Sequence, residues 1–285
     1  MEFFKRIGLA LAFSPTAEMM LSEAVRLQRI FHSELVLVHI GHAGEKELQM
    51  LQILLARVGL APDQVTVVWQ EGDPAKGILR ACRDKSIDLL LAGALKRENI
   101  MRYYIGTVAR NIMRKADCSV MMITDPSLVE RTIRNIVVNA EDSPFVSDAL
   151  TVACRLAVEG HAWVHVVREI KMYGLAMAAT GQHSEDEYGD MRQQLVQDEI
   201  DEVERMLARI PHEGVKINIK MLSGKSGFEV SQFAQKKNAD LLIFGAPSRR
   251  FRLFDRLFPH DLEYIFADMP CNLLIVHPGK GGRHG

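Results

Sequence analysis

Two tandem doubly wound α/β units, each on a parallel five-stranded sheet, are the fold class this sequence predicts. Three observations predict it: the chain repeats itself, its apolar runs are short and separated by helix-like periods, and helix-start signals recur just after those runs. The repeat comes first. Ser14-Pro15 has a counterpart in Ser143-Pro144, His39-Ile40 in His165-Val166, and Gly72 in Gly224. The run Asp88 to Gly93 matches Asp240 to Gly245, and Cys118 matches Cys271. In that order the offsets are 129, 126, 152, 152 and 153 residues. Offsets that hold and then jump once mark a duplication with one large insertion, here between His165 and Gly224. Tyr173 to Gly189, rich in Gly, Ala, Ser, Asp and Glu and without a clean period, is its expected place.

Each copy reads as five strands alternating with four helices. In the first, Ile7–Ala12 is an apolar strand. Ser14 is the expected N-cap, with Pro15 at the first helical position, where its missing N–H costs nothing. Ala17, Met20, Leu21, Ala24, Val25 and Gln28 recur at three- and four-residue spacing, an apolar stripe with a polar edge. Glu34–Ile40 is a strand, Leu48–Val58 a helix and Val65–Gln70 a short strand. Asp73-Pro74 repeats the cap-plus-proline signal and opens a helix through Cys82. Asp88–Ala92 is a strand, Thr107–Lys115 a helix and Ser119–Thr124 a last strand. The second copy places its strands at Ile136–Ala140, Trp163–Val167, Lys216–Met221, Leu241–Phe244 and Leu273–Val276. Strands that lack alternation and are separated by helices belong to a parallel sheet covered on both faces, wound right-handed. The domains are expected at 1–127 and 133–278, parted by the polar stretch near Asp125–Arg134, with a frayed basic tail at 279–285.

Length and composition agree. The 285 residues allow two domains of about 140 each, and 48% hydrophobic with 25% charged residues is ordinary for a globular chain. A formal charge of −1 gives no global field towards nucleic acid or an acidic membrane, so neither is an expected partner. The four cysteines lie far apart with no CxxC or CxxH pair, so buried free thiols in a reducing cytoplasm are expected. The N-terminus lacks a signal-peptide core, and no apolar run approaches the roughly 18–20 residues of a membrane span.

In doubly wound sheets ligands bind beyond the carboxyl ends of the strands, where the strand order reverses. After the fourth strand of the first copy stands Gly93-Ala94-Leu95-Lys96, then nine residues, then Gly106-Thr107-Val108-Ala109 entering a helix. Backbone N–H groups and the positive dipole end at such a start form an anion cradle. The same residues also serve as plain caps.

At these residues the chain resembles the universal stress protein family. Its nucleotide-binding members carry Gly, two residues, Gly, nine residues, then Gly and Ser or Thr. Gly93, Gly106 and Thr107 match the outer positions. The opening loop Ala12-Phe13-Ser14-Pro15-Thr16-Ala17 and the approaches Ala116–Val120 and Met269–Leu273 fit as well, and the resemblance covers 6–125 and 135–278. It implies an adenine nucleotide alpha hydrolase-like fold and a site for ATP or AMP, with Mg2+ if the ligand is a triphosphate. It also implies that the last strands, Val120–Ile123 and Leu273–Val276, pair or pack across the halves as in the family's dimers. The tandem would then be an internal pseudo-dimer, with a further homodimer left open.

The departures bear on function. The middle glycine is Lys96, which either acts as a point charge on a phosphate or strains or reshapes the loop. The family's acidic residue at the end of strand one aligns with Ala12, which removes an acceptor for ribose or base. Its nucleoside contact at the end of strand two aligns with Ile40. In the second copy Glu141 holds the acidic position and Val166 the strand-two contact. Gly245 is kept, Ser248 replaces the middle glycine, and Pro259-His260 replaces the Gly-Thr pair, so one N–H donor is lost. Arg249, Arg250, Arg252 and Arg256 either bind phosphate or form a solvated loop.

His39 and His165 are expected to be structural, and His161 lacks companions for a metal site. Met113, Met121 and Met122 read as core. The stripe Leu195, Ile200, Val203, Met206, Leu207 and Ile210 reads as a packed helix face within Glu185–Arg209. No P-loop, HExxH or nucleophile elbow occurs. Three functions follow: a stress-related sensor binding an adenine nucleotide mainly in the first half; an interaction module for an unidentified protein partner with degenerate sites; and a slow nucleotide hydrolase, for which no base or metal site can be named.

Overall fold

The computed structural model describes residues 3–96, 103–141, 145–170, 185–223, 226–246 and 261–278 of the chain. Ser143-Pro144, Gly224, most of the expected insertion, Ser248, Pro259-His260, the four loop arginines and the tail lie outside them.

Half one runs β1 (Arg6–Ala10), α1 (Ala17–Phe31), β2 (Glu34–Ile40), α2 (Glu45–Arg57), β3 (Val65–Gln70), α3 (Pro74–Asp84), β4 (Leu89–Gly93), two short strands β5 (Leu95–Lys96) and β6 (Tyr103–Tyr104), α4 (Thr107–Lys115) and β7 (Ser119–Ile123). Half two runs β8 (Asn135–Asn139), α5 (Val146–Gly160), β9 (Trp163–Glu169), α6 (Glu185–Leu207), β10 (Lys216–Leu222), α7 (Ser226–Lys236), β11 (Leu241–Gly245), α8 (Asp261–Ala267) and β12 (Asn272–Val276). The strands of half one lie in the order β3-β2-β1-β4-β7, those of half two in the order β10-β9-β8-β11-β12, and every pair within a half is parallel.

The last strands of the two halves, expected to pair or pack, pair, and this joins the two five-stranded sheets edge to edge. β12 pairs with β7 antiparallel, Leu273 with Met122, Leu274 with Met121 and Ile275 with Val120, so hydrogen bonding runs through ten strands. Each half would otherwise end in a bare row of N–H and C=O groups, which pairing removes. The windings stay separate, because order reversal occurs once in each half.

The core follows from strand alternation. Leu35, Leu37, Leu89 and Leu91 face α1 and α2, while Val36, Val38, Leu90 and Val120 face α3 and α4. Val203, Leu207 and Ile210 of the expected stripe are buried against half two, and Met206 packs beside them. Glu185–Gly189, expected to be irregular, is the first part of α6.

Local devices recur with the repeat. Asp88 Oδ2 accepts the N–H of Arg6 at 3.1 Å, and Asp240 Oδ2 accepts those of Arg134 and Asn135 at 2.7 and 2.9 Å. Asp73 caps α3, its Oδ1 accepting the Lys76 N–H at 2.8 Å. The Ser14 cap is corrected: α1 starts at Ala17 after an N-cap Thr16, and Ser14-Pro15 forms the turn before it. α1 and α5 end on left-handed histidines, His32 at φ 53° and His161 at φ 48°. His161 is therefore an exposed helix cap and shares no strand face with His165.

Candidate functional site

Sheet register gives the correspondence of the halves without reference to sequence similarity. Arg6 pairs with Glu34 and Asn135 with Trp163, an offset of 129 for both members. The same 129 carries to the ends of the strands: Leu11 N–H donates to Val38 O, and Ala140 N–H to Val167 O. The counterpart of His39-Ile40 is therefore Arg168-Glu169. The equation with His165-Val166 is corrected: Val166 lies level with Val138 inside its strand and is fully buried, while Glu169 stands at the strand's end. The offset of 126 slipped because a histidine before a β-branched residue occurs at both places by chance.

In half one Ala12 is exposed beyond β1. Ile40 lies over α3, where its Cδ1 is 2.7 Å from the position a Cβ would take on Gly77. Gly93 is exposed at the end of β4, and among the described residues the only side chain within 4 Å of its own Cβ position is that of Met20, at 3.7 Å. The corner then departs from an open glycine loop. Leu95 pairs with Tyr104 and Lys96 with Tyr103, so Lys96 sits in extended backbone and carries no left-handed strain. Gly106 is the N-cap of α4 at φ −73° and needs no glycine for its backbone; Leu95 Cδ1 lies 2.7 Å from its Cβ position, the free end of an exposed side chain that can move aside. Thr107 and Val108 are exposed, and the N-cap glycine offers no side chain to the first N–H groups of α4. Gly93, Lys96, Gly106 and Thr107 are thus gathered at one corner, with Ala12 and Ile40 on the neighbouring strand ends.

Half two fastens this corner from behind. Ile105 N–H donates to Phe266 O at 2.9 Å and Met269 N–H to Tyr103 O at 3.0 Å. Beside the corner, Phe13, His39 and Trp69 pack together, with ring centroids 4.7 and 5.1 Å apart along the chain of three, and His39 Nδ1 donates to Leu11 O at 2.9 Å.

At the matching glycine of half two the backbone approaches closely. A Cβ on Gly245 would lie 2.6 Å from the carbonyl oxygen of Phe145, a backbone atom that cannot swing aside. Asn139, in the place of Ala10, is buried and donates from Nδ2 to Glu141 Oε1 at 2.9 Å; among the described residues its Oδ1 has no partner. Arg168, in the place of His39, is buried and ion-paired with Glu199 of α6. Ser248 and His260 lie outside the described residues.

Three of the four thiols are poor nucleophiles. The cysteines are free and buried. Cys118 is held well above the usual thiol range by a hydrogen bond with Cys82 and by burial, Cys154 is pushed up to about 11 by burial, and Cys271 is raised by burial as well. A thiol that stays protonated is neither a nucleophile nor a metal ligand.

The model of the universal stress protein family matches residues 3–124 and again 132–277. The chain belongs to the universal stress protein family. It is a tandem member, and its fold is that of the family's solved structures. A universal stress protein from Archaeoglobus fulgidus DSM 4304 is similar at a TM-score of 0.66 and 13% identity, over 96% of this chain and 99% of that one. A structure from Pseudomonas aeruginosa UCBPP-PA14 assigned to the same family is similar at 0.69 and 15%, over 96% and 94%. The cytoplasmic domain of a prokaryotic cation chloride cotransporter is similar at 0.52 and 14%, over 96% and 95%. No curated protein matches the chain. Among the described residues of this family member, no helix is long and apolar enough to cross a membrane, and no three His, Cys, Asp or Glu side chains are grouped to hold a metal ion.

Three features of the family member's corners were missed in the sequence: Leu95 against Gly106, Phe145 over Gly245, and Glu169. Only the last had a signal, since carrying the offset of 129 unbroken leads to it.

Proposed function

We propose that this universal stress protein family member is a sensor in stress regulation that takes an adenine nucleotide, ATP or AMP, at the corner of half one, and that an occupied corner changes the surface offered to a protein partner. One observation carries the reading: among the described residues only the Met20 side chain comes near the Gly93 Cβ position, whereas that of Gly245 lies 2.6 Å from Phe145 backbone. Phosphate would be received by the first N–H groups of α4, with Lys96 as a point charge and the Thr107 hydroxyl at the rim. With a triphosphate, Mg2+ would arrive on its phosphates.

Thermal shift with a nucleotide panel tests this. A ligand at one hundred times its Kd stabilises the native state by about 2.7 kcal/mol. ATP or AMP should raise the melting temperature, and Gly106→Pro and Lys96→Glu should each diminish the rise. A flat response to every adenine nucleotide removes the reading. A second reading then stands, an interaction module without nucleotide. It is favoured by Leu95 lying against Gly106, by Lys96 held in a ladder with Tyr103, and by the missing carboxylate at Ala12.

A further inference from the structure

The junction of the halves obeys a local twofold axis. Met121 and Leu274 are counterparts at an offset of 153, and they are direct partners in the ladder. On either side, the His277 N–H donates to Ser119 Oγ at 3.0 Å and the Thr124 N–H to Asn272 Oδ1 at 2.9 Å. Ser119 and Asn272 are counterparts, as are Thr124 and His277, so each contact is the partner of the other under the axis. In an interface of this type a position near the axis faces its own copy. Two identical halves would therefore set like against like.

At one such position the halves differ in sign. Arg110 on α4 and Glu263 on α8 are counterparts at the same offset of 153, and they are ion-paired with each other. Arg114, one turn further along α4, reaches the other carboxylate oxygen of Glu263 at 3.0 Å. Arg110 is held in place by its Nε–H, which donates to Ile105 O at 3.0 Å, and its guanidinium lies 5.9 Å from the Phe266 ring centroid. A half-one face against a second half-one face would bring the two arginines of each together. A half-two face against another would oppose two Glu263 carboxylates. Only the unlike pairing is attractive.

We infer that Arg110, Arg114 and Glu263 are a recognition code by which the sheet-joining face of one half accepts the opposite half and rejects its own kind, including that of a second copy of this chain. Specificity of this sort lies more in what like charges forbid than in what the pair contributes, because partly exposed ion pairs contribute little to stability.

That difference gives the test, made in the full chain by calorimetry at low salt. Neutral replacement, as Glu263→Gln or as Arg110→Gln with Arg114→Gln, should lower the melting temperature by no more than about 2 °C. Reversal, as Glu263→Arg or as Arg110→Glu with Arg114→Glu, should lower it by about 4 °C or more, and the difference should shrink in 1 M salt. The three reversals together should regain at least half of the combined loss. The Glu263 pair of variants is the cleaner comparison, because it leaves the Arg110 bond to Ile105 in place, whereas at position 110 glutamine can still donate to that carbonyl and glutamate cannot. Reversals no worse than amides, or a triple variant in which the two losses simply accumulate, would overturn the code.

Discussion

His165 shows how burial sets the state of one residue. Its Nδ1 accepts from Asn218 Nδ2 at 3.2 Å, so the ring proton sits on Nε2 and points at Asn135 Oδ1, 3.3 Å away. Trp163 stacks beside it and Phe233 meets it edge-on. Burial, with Lys237 adding to it, lowers its pKa below the usual histidine value of 6.5. The unfolded chain therefore binds a proton that the folded chain resists. Stability from this group is complete above about pH 6.5 and is lost as the pH falls below it. Urea titrations between pH 5 and 7 should show a slope that is reduced in His165→Gln; identical slopes would refute the assignment. The sequence pointed to a structural histidine here, and the structure agrees. It did not reveal that His39 and His165 occupy different levels of their sheets, because a pair of letters carries no register.

Among the elements, those with a chemical start signal were the most legible. The α3 cap was readable because Asp73 is followed by Pro74, and the aspartate accepts the N–H three residues on. Asp73→Ala should cost about 1 kcal/mol, seen as a lower denaturation midpoint with an unchanged m-value. A change within a few tenths of a kcal/mol would show that the cap is idle. Ser14-Pro15 carried the same signal and failed as a cap, since a turn intervenes before Ala17. The left-handed ends at His32 and His161 were invisible, because the usual glycine is absent from both. The β5–β6 ladder was invisible as well: a two-residue strand has no period, and its partner comes from across the loop. That ladder is what converts the lysine at position 96 from a question of strain into an extended residue.

For the whole molecule, the β7–β12 ladder makes the halves parts of one sheet. Leu274 is buried at the local axis against Met121. Leu274→Ala should cost about 2–5 kcal/mol. If the halves unfold as one unit, it should lower the stability of both. The two tryptophans report on this separately, Trp69 on β3 of half one and Trp163 on β9 of half two. Single-tryptophan variants, Trp163→Phe and Trp69→Phe, should give superimposable denaturation curves, both displaced by Leu274→Ala. A displacement confined to the Trp163 signal would mean that the halves fold independently.

The sequence by itself determined the winding of each half, the duplication and the family. These rest on apolar runs, helical spacing and repeat offsets, all of which are local or periodic in the chain. It also brought Gly93, Lys96, Gly106 and Thr107 forward as candidates for one site. Only the tertiary structure decided that the last strands pair rather than merely pack, that Phe145 backbone lies close over Gly245, that Leu95 lies against Gly106, and that Arg110 meets its own counterpart, Glu263. Each of these is a contact between atoms far apart in the chain or across a bend. Their distance is set by how packed elements lie against one another, which no spacing of letters records.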